Sequence, residues 1–350
     1  MLLIRKKAYA RAGLVGNPSD GYYGKTISLC MSDFWADVTL YEWDQIELIL
    51  SQKDHSRFDS VDELVRDVRL HGYYGGVRLI KATIKKFVDY CHRQGHSLHG
   101  RNFSVRYQSN VPRQVGLAGS SAIIVATLRC LMEFYGLEIP RRILPSLALS
   151  VEAEELGIAA GLQDRVVQVY EGLVYMDFAR EKTEGIDGLK CATYEPLEPA
   201  LLPPLYLAYS TDISEPTEVF HNNLRARYVQ GEPAVVQAMV EFGELTTQAR
   251  EALLARDAER LGRLIDANFD LRRSICRLPA EQVEMIERAR RAGASAHFAG
   301  SGGAILGICP DQETFARLRA ELEPIHCRVI RPTIAASNSG VLETTPGNPA

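Results

Sequence analysis

Residues 114–128, QVGLAGSSAIIVATL, set two glycines and two serines directly in front of an apolar run with helical spacing. A glycine-rich turn entering a helix leaves the first backbone N–H groups without intrahelical partners and gathers partial positive charge there, which suits a phosphate. Arg113 would reinforce that field, small residues at Ala118, Gly119, Ser120 and Ser121 keep side chains out of the way, and the Ser121 hydroxyl is placed to reach a magnesium ion bridging phosphates. A Gly–Ser helix cap with close helix packing is the alternative, and the glycine pattern alone does not separate the two.

Acidic residues follow in SVEAEELGIAAGLQDRVVQVYEG, residues 150–172. A helix C-terminus repels carboxylates unless a cation compensates. Glu152, flanked by Val151 and Ala153, is expected to turn inward, whereas Glu154 and Glu155 are expected to face water. Asp164 lies among small and apolar residues beside Gln163 and Arg165, where an acid needs a partner; a catalytic base and a structural ion pair or helix cap both satisfy that. AGSGGA, residues 299–304, places Gly300, Ser301, Gly302 and Gly303 between two apolar strands and permits close approach of another segment or a ligand. ARAGLVGNPSDGYYGK, residues 10–25, reads as a strand running into a loop whose Asn17, Asp20, Tyr22 and Tyr23 suit hydrogen bonding to a polyol, or as a plain surface turn. Within it GYYGKT is not a phosphate loop of the Walker type, because Ser19 stands where that pattern requires glycine. His92, His96 and His99 are a poor metal site, since Gly95 interrupts the helix that would align them and no carboxylate accompanies them.

These residues need strands and helices to hold them. DVTLYEW and IELILS, at 37–43 and 46–51, alternate as two strands of a hairpin around Asp44 and Gln45. Residues 76–91 have helical spacing and end at Gly95, 102–112 return to a strand, and the glycine turn and its helix follow. A helix over 141–156 stops at Gly157, and 172–178 form a strand. Residues 181–204 are polar and proline-punctuated and read as the region of a domain linker. Beyond it come a strand at 205–210, a helix-rich block over 217–292, the strand–glycine turn–strand of 294–309, a helix and a last strand. This is an α+β layout of two domains, 1–195 and 205–337, with a disordered tail at 338–350.

A chain of 350 residues with net charge −4 and 46% hydrophobic content is globular, and its charge makes no case for nucleic acid or an anionic membrane as partner. The opening MLLIRKKAYARAG reverses the order of a signal peptide, and no apolar stretch reaches the roughly 18 residues of a membrane span. A cytoplasmic protein, monomeric or homodimeric, is expected. Seven scattered cysteines without a CxxC pair read as reduced, mostly buried thiols.

Taken in order, ARAGLVGN, PRQVGLAGSSA, GLQD and AGSGGA resemble the motifs of the GHMP kinases over nearly the whole chain. The resemblance implies a ribosomal protein S5 domain 2-like N-terminal domain and a ferredoxin-like C-terminal domain with the active site between them. It implies that Arg113, Gln114, Val115, Gly116, Leu117, Ala118, Gly119, Ser120 and Ser121 wrap the phosphates of ATP, joined by the 300–303 loop. It further implies that Ser121 and Glu152 hold Mg2+, that Asp164 acts on a substrate hydroxyl, and that Arg11 lies near that aspartate. The wording near the polyol loop points to a sugar or uronic acid phosphorylated at its anomeric hydroxyl; another sugar kinase, or a non-catalytic regulator on the same fold, is the alternative. Ala118 replaces the usual glycine of GLGSS, which should matter little if the backbone does the binding. Arg11, Lys25, Arg78, Arg113 and Arg165 are each available to a uronate carboxylate.

Overall fold

The computed structural model describes residues 2–49, 76–212 and 218–337. The expected tail at 338–350 and the end of the expected strand at 46–51 lie outside them.

One long strand organises the first half. β2 (Lys25–Trp43) pairs along its length with β1 (Leu3–Val15), and along its other edge with β4 (Asn102–Ser109) at one end and β5 (Leu173–Asp177) at the other. β8 (Thr193–Leu197) adds to β5, and β3 (Glu47–Ile49) adds to β4, completing a six-stranded sheet. The expected hairpin at Asp44 is therefore corrected: β3 runs parallel to β4 and does not pair with β2. A short turn at 44–46 is compatible with either arrangement, but β4 already occupies that edge of β2, so β3 pairs one strand further out.

Helices α1 (Gly76–Arg93), α2 (Gly119–Tyr135), α3 (Leu144–Ser150) and α4 (Gln163–Tyr170) cover one face of this sheet around a core that includes Phe87, Phe103, Leu128, Leu147 and Val167. Gly95 and Gly136 follow α1 and α2 in the left-handed conformation that ends helices. The linker region is more ordered than its composition suggests. It holds a ribbon of β6 (Glu184–Ile186) and β7 (Leu189–Cys191) and then β8, because Leu189, Cys191 and Leu197 carry enough apolar surface to bury.

The second half is a four-stranded antiparallel sheet in the order β10 (His297–Phe298), β11 (Ala304–Ile308), β9 (Leu205–Ser210), β12 (Cys327–Ile330). Its helices are α5 (Glu218–Val229), α6 (Pro233–Leu254), α7 (Ala258–Ile275), α8 (Ala280–Arg291) and α9 (Gln312–Leu322). A second core joins the halves: Ala10, Ala12 and Leu14 of β1 pack with Leu207 of β9, Leu306 of β11, Ala252 of α6 and Ile265 of α7. All seven cysteines are free, and six are buried. No helix among the described residues is long and apolar enough to cross a membrane.

Candidate active site

The site is built around Arg11. The register of β1 on β2 shifts between Tyr9 and Ala10, and such a shift changes which layer the side chains face. Ala8 thus packs among the helices, whereas Ala10, Ala12 and Leu14 pack between the sheets. Arg11 alternates with the latter set and turns towards α4. Its Nε donates to Asp164 Oδ1 at 2.5 Å and its Nη1 to the carbonyls of Gly116 at 2.8 Å and Ala299 at 2.7 Å. One buried side chain thereby touches the stretches at 114–128, 150–172 and 299–304.

The two glycine loops meet at backbone distance. A Cβ on Gly116 would lie 2.8 Å from the Ser301 nitrogen, and one on Gly300 would collide with the Gly116 carbonyl and the Arg11 guanidinium. The segment so close to the 114–121 loop is thus the other loop of the same chain. Val115 and Leu117 are buried in the core between the sheets, so only their backbone is available to a ligand. Arg113 is exposed at the start of the loop.

Ala118 caps α2 with φ 60°, in the left-handed region, so its replacement of glycine carries a backbone cost on the order of 1 kcal/mol. Two site residues are placed differently from expectation. Ser120, not Ser121, accompanies Glu152: Ser120 Oγ donates to Glu152 Oε1 at 2.8 Å, while the buried Ser121 hydroxyl bonds back to the Ala118 carbonyl at 3.2 Å. Adjacent helical residues point about 100° apart, and Ser121 shares the buried side with Ile124, Val125 and Leu128. Asn17 is not open to a polyol, because its Nδ2 donates to the Gly300 carbonyl at 3.1 Å. Tyr23 is half exposed with the Arg180 guanidinium 4.3 Å over its ring, and Tyr22 packs on Tyr228 at 4.7 Å. Of the four polyol candidates, Asp20 reaches the centre: its Oδ2 accepts from the Gln163 backbone N–H at 3.3 Å.

Glu152 turns inward as expected, 2% exposed, whereas Glu154 and Glu155 pair with Lys86 and Lys85 at 2.7 Å each. The partner of Glu152 is Arg165, whose Nη1 also stands 3.4 Å from Asp164 Oδ2. Burial alone would lower the Arg165 pKa, but Glu152 and Asp164 outweigh it and the guanidinium is held raised. Asp20 is pushed up to about 6, by burial first and then by the nearby Asp164 charge. Asp164 itself is only 20% exposed, with one oxygen on each of two arginines.

Ser120 and Glu152 offer a hydroxyl and a carboxylate, hard oxygen donors that fit a magnesium ion shared with phosphates. Among the described residues no group of three or more His, Cys, Asp or Glu is placed to hold a metal, the His92–His99 stretch included.

Sequence reading missed Asn268 and Arg272. Arg272 is 1% exposed and donates to the carbonyls of Gly300 at 2.7 Å and Ser301 at 3.2 Å; burial pulls its pKa down to about 10, so it stays charged at neutral pH. Asn268 Oδ1 accepts from the Gly16 backbone at 2.7 Å. The signal was present: both continue the stripe of Leu261, Leu264, Ile265 and Phe269 that α7 buries. Gln168, likewise missed, ties α4 to β1 and α2 by donating to the carbonyls of Tyr9 at 3.1 Å and Ala118 at 2.9 Å.

The chain is similar to known proteins over most of its length. Residues 78–172 match the model of the GHMP kinases N terminal domain and residues 249–328 that of the GHMP kinases C terminal. The chain is 44% identical over 326 residues to Glucuronokinase 1 of Arabidopsis thaliana, covering 91% of this chain and 88% of the other. Among solved structures it matches a mevalonate kinase with TM-score 0.70 at 19% identity, covering 95% of this chain and 99% of that one. It matches Lactococcus lactis galactokinase complexed with galactose with TM-score 0.73 at 14% identity, covering 96% and 94%. The structural likenesses establish the two-domain α+β fold; the matched models and the sequence identity establish more, and the chain belongs to the GHMP kinase family.

Proposed function

We propose that the chain is a glucuronokinase, transferring the γ-phosphoryl group of ATP to the anomeric hydroxyl of D-glucuronate in the cytoplasm to give glucuronate 1-phosphate and ADP. The reading takes 1–195 and 205–337 as the two domains that flank the cleft. The observation that carries it is the Arg11–Asp164 pair bonded to both glycine loops, which sets an acid beside the start of α2. The identity to Glucuronokinase 1 over 91% of the chain selects the acceptor.

In this reading the first N–H groups of α2 and the backbone of 113–119 receive phosphate oxygens. Asp164 receives the anomeric hydroxyl, orienting it and taking its proton as the oxygen attacks in line. Arg11 fixes that carboxylate against the phosphate loop. Asp20 is an acceptor for a further sugar hydroxyl. Ser120 and Glu152 would hold a magnesium ion, which supplies charge neutralisation between the phosphates when bound. The residues around the cleft thus position and stabilise charge, which is most of what phosphoryl transfer asks of a protein.

The test is ADP release with ATP and a panel of D-glucuronate, D-galacturonate, D-galactose, D-glucose and a heptose. D-glucuronate is expected to give the highest kcat/KM. Preference for a neutral sugar or another uronate would replace the acceptor, and ATP binding without turnover on any sugar would make the chain a regulator.

A further inference from the structure

Glu152 is the one carboxylate of its acidic turn withdrawn from water, and both its oxygens are taken. Oε1 accepts from Ser120 Oγ at 2.8 Å and Oε2 from the Arg165 guanidinium. Arg165 is 3% exposed; its Nη1 donates to the Gly161 carbonyl at 2.8 Å and stands 3.4 Å from Asp164 Oδ2. Its Nε is buried with no hydrogen-bond partner. The side chain is therefore aimed at two carboxylates while one of its donors is left unmet, an arrangement that mere anchoring does not require.

A buried carboxylate needs a counter-charge, and this one has it on Oε2, beside the Oε1 that accepts from Ser120. We propose that Arg165 is the counter-ion of Glu152 in the nucleotide-free protein and excludes a free divalent cation from the cleft, so that metal enters only together with phosphates. The proposal rests on the kinase reading above. A cation arriving alone would meet two protein oxygens and a guanidinium that repels it. Phosphate oxygens change both conditions, since they give the guanidinium another anionic partner and give the metal its remaining ligands. The exchange makes and breaks no covalent bond, and the charge on Glu152 is compensated on either side of it. Arg165 is in this sense a positioning residue, acting through Glu152 and Asp164.

Electron paramagnetic resonance of Mn2+ with the full chain tests it, because it reads metal binding without turnover. Wild-type protein is expected to show no saturable Mn2+ site without nucleotide and one site with ADP. Arg165→Gln is expected to gain a saturable nucleotide-independent site, with bound Mn2+ at a given concentration raised about tenfold or more over wild type. Arg165→Lys should keep the cation out, and Arg165→Gln combined with Glu152→Gln should lose the gained site. Tight nucleotide-free Mn2+ binding by wild type overturns the proposal, as does a folded Arg165→Gln that gains nothing. If Arg165→Gln does not fold, the wild-type measurement decides alone: exclusion without nucleotide supports the proposal and binding sinks it. A wild-type protein that excludes Mn2+ yet phosphorylates no sugar removes the kinase reading and leaves the ion exchange standing.

Discussion

The two glycine loops touch each other but are wired in opposite senses. The loop at 114–118 opens α2, so its neighbouring helical N–H groups have no helix carbonyl to bond. The loop at 300–303 joins β10 to β11, and the carbonyls of Ala299, Gly300 and Ser301 are taken by Arg11, Asn17 and Arg272. One loop leads into helical donors that no helix carbonyl meets; the other gives its acceptors to the protein's own Arg11, Asn17 and Arg272. Glycine content alone does not separate these roles, whereas the groups around each loop do.

Breaking the shared element should harm chemistry and stability together. Arg11→Met removes the Asp164 partner and the tie between the loops, so kcat should fall by on the order of 10²–10³ and stability by about 3 kcal/mol. Steady-state kinetics and urea unfolding measure the two. Arg272→Met loosens only the bracing loop and should cost about 2–3 kcal/mol of stability while raising KM for ATP more than it lowers kcat. An equal loss of kcat and unchanged KM would mean that the second loop acts on chemistry directly.

Acidification should affect the sugar side before the phosphate side. Asp20, pushed up to about 6, loses its charge as pH falls through that value, so KM for the sugar should rise below pH 6, and Asp20→Asn should flatten that limb. The stability sign is opposite. A carboxyl raised in the folded state binds its proton more tightly than the unfolded chain does, so its contribution is fully present below about pH 4 and is lost as pH rises through 6. Asp20→Asn should therefore be more stable than wild type at pH 7.5 by thermal melting. The smallest effect belongs to the cap of α2. Ala118→Gly relieves the left-handed backbone at some entropic cost and should stabilise by about 0.5 kcal/mol with little change in turnover.

The elements were legible where local pattern decides them. α1 with its Gly95 end, the turn into α2, and the strand–turn–strand around Gly302 follow from spacing and glycine placement. β3 was not, because its partner lies more than fifty residues away and a turn says nothing about a remote edge. The grouping of Arg11 with Asp164 came from family likeness, since 153 positions separate them and no local rule joins them. Ser120 and Ser121 could be told apart only through the helix rotation that buries one of them. Arg272 and Asn268 were readable in principle, as polar residues on the buried stripe of α7, where a charge requires a reason.

Asp164→Asn tests the central claim most directly, with turnover of D-glucuronate and ATP affinity measured on the same preparation. Turnover should fall by about 10³ or more while the Kd for ATP changes little. Turnover within a few-fold of wild type would take Asp164 out of the reaction and, with it, the assignment of this cleft as the place where phosphate meets sugar.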